Sequence, residues 1–246
     1  GKPLGEADRI LVGDTLLTGG AWREARAVLN GVPPPRQPAV QSQWLFLRAR
    51  AAYRLGDFAA AATLFERAIE VAPTPVMRFA PAVQRGRIAE IAGDYGAALA
   101  FFEAARTAQP GEPEGWDGAM RDRVVLGRGE EASQLWLRAP PAVQRVVGPR
   151  LVAALLAHGD APHARGVLQR LPRSLPPVRT LWVELLRLES READAMAELR
   201  TLLSDRTSGA WAELAATTLP DGGPGVGWPA PARDLATLAT LATGQG

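Results

Sequence analysis

The 246-residue chain carries a formal net charge of +2 and contains no cysteine, which excludes disulfides, cysteine-ligated zinc and thiol catalysis. Acidic and basic residues are mixed along the chain without a basic tail or a clustered basic run, and this argues against nucleic-acid binding. No segment approaches the roughly 18 uninterrupted apolar residues of a membrane span, so we expect no membrane insertion.

The predicted elements are helices, because alanine and leucine dominate and no window alternates Val, Ile or Thr with polar residues as a strand would. Two segments are the most regular. Each contains a glycine, an aromatic residue two positions later, and then alanine, an aromatic residue, alanine and proline. They match at a shift of 37 residues, from Gly56 to Gly93. Their members are Gly56, Phe58, Ala61, Phe65, Ala68 and Pro73, and Gly93, Tyr95, Ala98, Phe102, Ala105 and Pro110.

This skeleton resembles the tetratricopeptide repeat, a pair of antiparallel helices with a period of about 34 residues. Three series of residues extend it over six units with common steps of 36, 37, 34, 32 and 31 residues. The turn residues are Gly20, Gly56, Gly93, Gly127, Gly159 and Ser190; the small residues are Ala25, Ala61, Ala98, Ala132, Ala164 and Ala195; the large apolar residues are Leu29, Phe65, Phe102, Trp136, Leu168 and Leu199.

We therefore predict an all-α fold, a right-handed α-solenoid of about six antiparallel helix pairs that forms a TPR-like superhelix over residues 1–205. Residues 206–246 are predicted to form a C-terminal region with a helix, a Gly/Pro-rich loop and a capping helix from Ala232 to Ala242. Terminal repeats need such a cap to cover their exposed apolar surface. The second helix of units one, four and five is expected to end at Gly31, Pro140 and Pro172.

The residues that could carry chemistry do not form a recognisable catalytic or metal-binding set. His158 and His163, the two histidines, lie five residues apart across a predicted turn and lack the spacing of a metal pair. The glycine-rich run at 222–227 has no lysine and serine or threonine for phosphate binding, and it follows no predicted strand. The sequence therefore predicts no enzyme activity and no cofactor or metal.

The resemblance implies that the first helix of each pair lines a concave groove that binds a protein or peptide. Arg50, Arg87 and Arg121 occupy the same position in successive units and are predicted to form a basic ladder beside aromatic residues. This favours a partner with acidic and apolar groups. The alternative is that these arginines are solvated and reflect the codon usage of a GC-rich bacterial genome. The predicted partner-binding residues are Phe46, Arg50, Tyr53, Arg54, Arg87, Asp117 and Arg121.

The resemblance thus implies a non-enzymatic scaffold or adaptor, with a place in a bacterial cell-envelope assembly as one expectation and self-association left open. The alternatives are a non-catalytic superhelical domain of a larger enzyme, such as a lytic transglycosylase, and a regulatory module of a transcription factor. The family's lysine- and asparagine-based carboxylate clamp is not expected, since Lys2 and Asn30 are the only residues of those types. The periplasm or cell envelope is favoured over the cytoplasm, but the sequence leaves localisation open.

Overall fold

The computed structural model describes residues 5–204, and this part of the chain consists of twelve α-helices. The predicted C-terminal region 206–246, including the capping helix, lies outside the described residues. The helices are α1 Glu6–Thr18, α2 Trp22–Asn30, α3 Pro38–Arg54, α4 Phe58–Val71, α5 Pro75–Ile91, α6 Tyr95–Ala108, α7 Pro113–Val125, α8 Gly129–Arg138, α9 Pro141–Ala157, α10 Ala161–Leu168, α11 Pro176–Leu188 and α12 Glu192–Ser204.

Five of the six predicted helix pairs pack as the repeat pattern predicts, which confirms the all-α helical-repeat fold over the described residues: α1–α2, α3–α4, α5–α6, α9–α10 and α11–α12. Helix contacts divide the chain into two units, one ending at Leu126 and the other beginning at Gly127. The first unit contains α1–α7 and the second contains α8–α12. The division falls within the fourth predicted pair, at the turn of Gly127. The repeat spacing gives no sign of it, but Arg128 and Gly129 replace the aspartate and the aromatic residue that follow Gly56 and Gly93.

The six predicted turn residues share one backbone conformation. The five glycines have φ between 74° and 81°, and Ser190 has φ of 60°. In most of these turns the next amide donates to the carbonyl five residues earlier, for example from Asp57 to Ala52 at 2.9 Å and from Arg191 to Leu186 at 2.8 Å. This is the Schellman arrangement, whose left-handed residue suits glycine. Ser190 is the one non-glycine residue with positive φ in the described part of the chain.

Replacing Ser190 by glycine is expected to stabilise the second unit by about 1 kcal/mol, because a left-handed backbone costs an L-residue roughly that much. Chemical denaturation followed by circular dichroism would measure the change. Ser133→Gly provides the opposite control, since Ser133 lies inside α8 and glycine there should lower stability by about 0.5 kcal/mol. A loss of stability in both variants would show that the Ser190 turn is not strained.

The alanine and large apolar series form the interior between helices, as predicted. The six alanines are at most 1% exposed and the six large residues at most 3% exposed. Small residues at these positions let neighbouring helices approach closely, and the large residue beside each one fills the remaining space. The three repeat series did not include the N-caps of the second helices. Asp57, Asp94 and Asp160 are such N-caps, and each accepts a hydrogen bond from the backbone amide three residues later.

Enlarging Ala61 to leucine should lower the free energy of unfolding by about 1–3 kcal/mol, because the close helix crossing has no room for the added carbons. Ala59 on the same helix is exposed, so Ala59→Leu should change stability by less than about 0.5 kcal/mol. Ala60 is half-buried and packs against the apolar cluster that contains Ala61 and Phe65, so it is not a suitable control. Similar losses at Ala61 and Ala59, measured by thermal denaturation, would contradict the assigned repeat register.

Candidate partner-binding face

The first helices of the pairs form a continuous face in the compact unit that ends at Leu126. Helix α1 contacts α3, α3 contacts α5, and α5 contacts α7, whereas the second helices of neighbouring pairs meet less extensively. The pairs therefore approach each other most closely on the first-helix side. Helices α3, α5 and α7 carry the seven predicted partner-binding residues. We call the surface formed by α1, α3, α5 and α7 the first-helix face.

Arg50 lies on α3 and forms an ion pair with Asp14 of α1, with Nη1 3.2 Å from Oδ1. Its guanidinium also lies 5.8 Å from the ring centroid of Phe46. Phe46 in turn packs against the buried Phe65 at a centroid distance of 5.8 Å. Arg50 is therefore partly neutralised within the chain, and Phe46 joins the first-helix face to the core.

Arg121 of α7 binds two carboxylates. Its Nε donates to Glu90 of α5 at 2.9 Å, and its Nη1 donates to Asp117 at 3.2 Å. Burial alone would lower the pKa of Arg121, but the hydrogen bond and charge of Glu90, together with the charge of Asp117, raise it above its ordinary value. The guanidinium is therefore held firmly by acids of its own chain.

Arg87 of α5 is exposed and has no ion pair or hydrogen bond with the described residues. Arg54 is also exposed, and its guanidinium lies over the ring of Trp22 at 5.0 Å. Tyr53 is half-buried and packs edge-on against Phe58 with a centroid distance of 5.4 Å. These residues add two exposed cations and a half-buried aromatic ring to the first-helix face.

The first-helix face is thus a mixed-charge surface rather than the uninterrupted basic ladder that the arginine register suggested, because Arg50 and Arg121 are paired with acids. Several apolar residues on the same stripes of the first helices are buried. They face the helix interfaces, at 2–5% exposure, and cannot meet a partner directly. These residues are Ile10, Leu17, Val83 and Val124.

Asp122 of α7 is a buried acid that the sequence pattern did not reveal. It is 0% exposed, and neither carboxylate oxygen has a hydrogen-bond partner at normal distance among the described residues. Burial, and then the neighbouring Glu90 carboxyl, raise the pKa of Asp122 to about 8, although the charges of Arg121 and Arg123 oppose the rise. Asp122 is therefore largely protonated at neutral pH.

The two histidines do not converge. His158 is exposed, and its Nδ1 lies 3.0 Å from the carbonyl oxygen of Ala154 in the preceding turn. The Nδ1 of His163 instead lies 2.8 Å from the Asp160 carboxylate. Residues 5–204 contain no group of three or more His, Asp or Glu side chains placed to hold a metal ion. Among the same residues, no helix is both long enough and apolar enough to cross a bilayer.

The fold has counterparts among known proteins. The family model described as tetratricopeptide repeat matches residues 36–76 and 46–113. The chain has a tetratricopeptide-repeat-like fold. A tetratricopeptide repeat protein from Parabacteroides merdae superimposes with a TM-score of 0.60 at 13% identity, covering 96% of this chain and 98% of that one.

A second similar structure is that of BtubC (BKLC) from P. vanneervenii, at a TM-score of 0.53 and 14% identity, covering 93% of this chain and 97% of that one. At such low identity these structures support the shared fold alone. None of the curated proteins matches the chain. Tetratricopeptide-repeat arrays present extended surfaces for protein partners, and this is the functional class to which the fold points.

Proposed function

We propose that the chain is a non-enzymatic scaffold or adaptor that binds an extended segment of a partner protein along the first-helix face of α1, α3, α5 and α7. The observation that carries the proposal is that exposed arginines and partly exposed aromatic rings lie together with the two internal ion pairs on these helices. Aromatic residues and arginine are the types most enriched where binding energy concentrates in protein interfaces. The partner segment carries acidic and apolar groups.

The aromatic residues suit such a segment because they offer exposed contact area and their side chains are already restricted to few rotamers. Phe46 and Tyr53 are each held by a neighbouring ring, at centroid distances of 5.8 Å and 5.4 Å. Both remain partly exposed. Side chains that are already ordered lose less rotamer entropy on binding than free ones, so they support recognition of a peptide.

A place in a bacterial cell-envelope assembly is included in the proposal. It is supported by the absence of cysteine and by a cation content that is almost entirely arginine, since the first is compatible with export and the second with a GC-rich genome. The comparisons bear on the fold and not on this placement.

A library of random displayed peptides, panned against the full chain, would test the proposal. We expect enriched peptides to bind with measurable affinity by calorimetry and to protect backbone amides of α3 and α5 from hydrogen exchange. Protection confined to the second helices, or the absence of any enriched peptide, would overturn the proposal.

The matched variants must spare the internal ion pairs. Reversing the charge of Arg50 or Arg121 would place two acids together, with Asp14 or Glu90, and would disturb the helix packing. Tyr53→Ala removes an aromatic group from the first-helix face and should weaken peptide binding by about tenfold, a free energy of about 1.4 kcal/mol. Arg67→Ala, at an exposed position on α4, should leave the affinity unchanged.

A further inference from the structure

Three arginines occupy one position of the repeat, so each serves as a reference for the others. Arg121 shows which groups this position binds inside the protein, namely the carboxylates of Glu90 and Asp117. Arg50 shows the same preference, with Asp14. Arginine at this position of the first helix therefore takes a carboxylate in both places where the chain supplies one.

Arg87 has lost both acids that serve Arg121. One unit earlier in the repeat, the residue in the place of Asp117 is Val83, and the residue in the place of Glu90 is Tyr53. Val83 is buried at 4% exposure and carries no charge. Tyr53 is neutral, and its hydroxyl has no hydrogen bond with the described part of the chain. Arg87 is accordingly an exposed cation in a position built for an ion pair.

We propose that Arg87 is the anchor for an aspartate or glutamate side chain of the bound peptide, which takes the place that Glu90 fills beside Arg121. This deepens the proposed function and rests on it. A guanidinium binds a carboxylate through two parallel hydrogen bonds. The ligand is an acidic side chain because the acids that fill the equivalent places are side chains of Asp and Glu.

Arg50 and Arg121 do not act as anchors in this arrangement. A peptide carboxylate approaching Arg50 would compete with Asp14 and would be repelled by it. At Arg121 it would meet two acids, Glu90 and Asp117. Because of the internal ion pairs, only one of the three arginines is available to bind an acidic side chain of the peptide.

The test compares the acidic preference of wild type and Arg87→Gln with the same library of random displayed peptides. Wild type should enrich Asp or Glu at one fixed position, and Arg87→Gln should lose that preference. For an enriched peptide, Arg87→Gln should weaken binding about tenfold, and so should changing the peptide acid to its amide. The two changes together should cost no more than either alone, because they remove the same interaction.

Tyr53→Glu is the complementary variant, because it installs an acid in the place of Glu90 while leaving Arg87 intact. The new carboxylate should pair with Arg87 and abolish the acidic preference as completely as Arg87→Gln does. Arg67→Gln, at the exposed position on α4, should keep the preference. Circular dichroism would confirm that each variant retains the wild-type helix content.

The outcomes separate the two proposals. Peptides that enrich without a fixed acidic position, or an acidic preference that survives Arg87→Gln, would overturn the anchor and leave the scaffold proposal standing. The failure of any peptide to enrich on wild type would overturn both.

Discussion

Replacing Phe102 by alanine is expected to lower the free energy of unfolding by about 3–5 kcal/mol, the range for large buried aromatic residues. Phe102 is 1% exposed. Its ring fits against two glycines: a β-carbon at Gly86 of α5 would come within 2.9 Å of it, and one at Gly118 of α7 would overlap it. Neither glycine has a side chain that could move into the vacated space, so the cavity should remain open.

Chemical denaturation would measure this loss, and Phe101→Ala is the matched control on α6. Phe101 is half-buried and packs against the guanidinium of Arg85 at 4.7 Å, so its removal should cost about 1 kcal/mol. A second variant tests the packing itself. Gly118→Ala should destabilise wild type through overlap, yet stabilise Phe102→Ala by filling the cavity and by favouring the helix. Equal effects of Gly118→Ala in both backgrounds would contradict the assigned contact.

Replacing Asp122 by asparagine is expected to remove a large pH dependence of stability. The pKa of Asp122 is raised from 3.8 to about 8 in the folded chain. Between these values the folded chain binds a proton that the unfolded chain has released. The contribution of Asp122 to the free energy of unfolding is therefore greatest below about pH 4. It falls as pH rises towards 8, by up to about 1.4 kcal/mol per pH unit, and then levels off.

Asparagine resembles the protonated acid and does not titrate. Asp122→Asn should therefore match wild type near pH 4 and exceed its stability near pH 8 by a few kcal/mol. Denaturation midpoints of both proteins across this pH range would show the divergence. Glu114→Gln, at an exposed position on the same helix, should run parallel to wild type. A constant difference between Asp122→Asn and wild type would show that Asp122 is ionised in the fold.

The repeat fold was predictable because its signals recur at a fixed register. Ser190 was placed with the turn glycines by spacing alone, and its positive φ confirms the assignment. The buried alanines followed for the same reason. Asp122 illustrates the limit: the surrounding arginines are typical of an exposed face, and only the register with the buried Ala51 and Ile88 marks the position as interior.

The charge pattern of the first-helix face could not be predicted in the same way. The pairs Arg50–Asp14 and Arg121–Glu90 join residues 36 and 31 positions apart, so they depend on how neighbouring helices are rotated. That rotation is set by the packing of neighbouring repeats against each other, and the local sequence does not determine it. Arginine periodicity alone therefore suggested three equivalent cations where the structure leaves one exposed and without an acid.

The position of Phe102 between two glycines also affects how the first unit opens. In a linear array, partial unfolding begins at an end and proceeds until it meets a junction too stable to separate. The ring belongs to α6 but contacts both α5 and α7, so none of these three helices can leave the other two without exposing it. Fraying from the N-terminal end should then halt before α5. Residues 75–125 would form one cooperative block, and the helices that carry Arg87 and Arg121 would stay in register while the helices before α5 open and close.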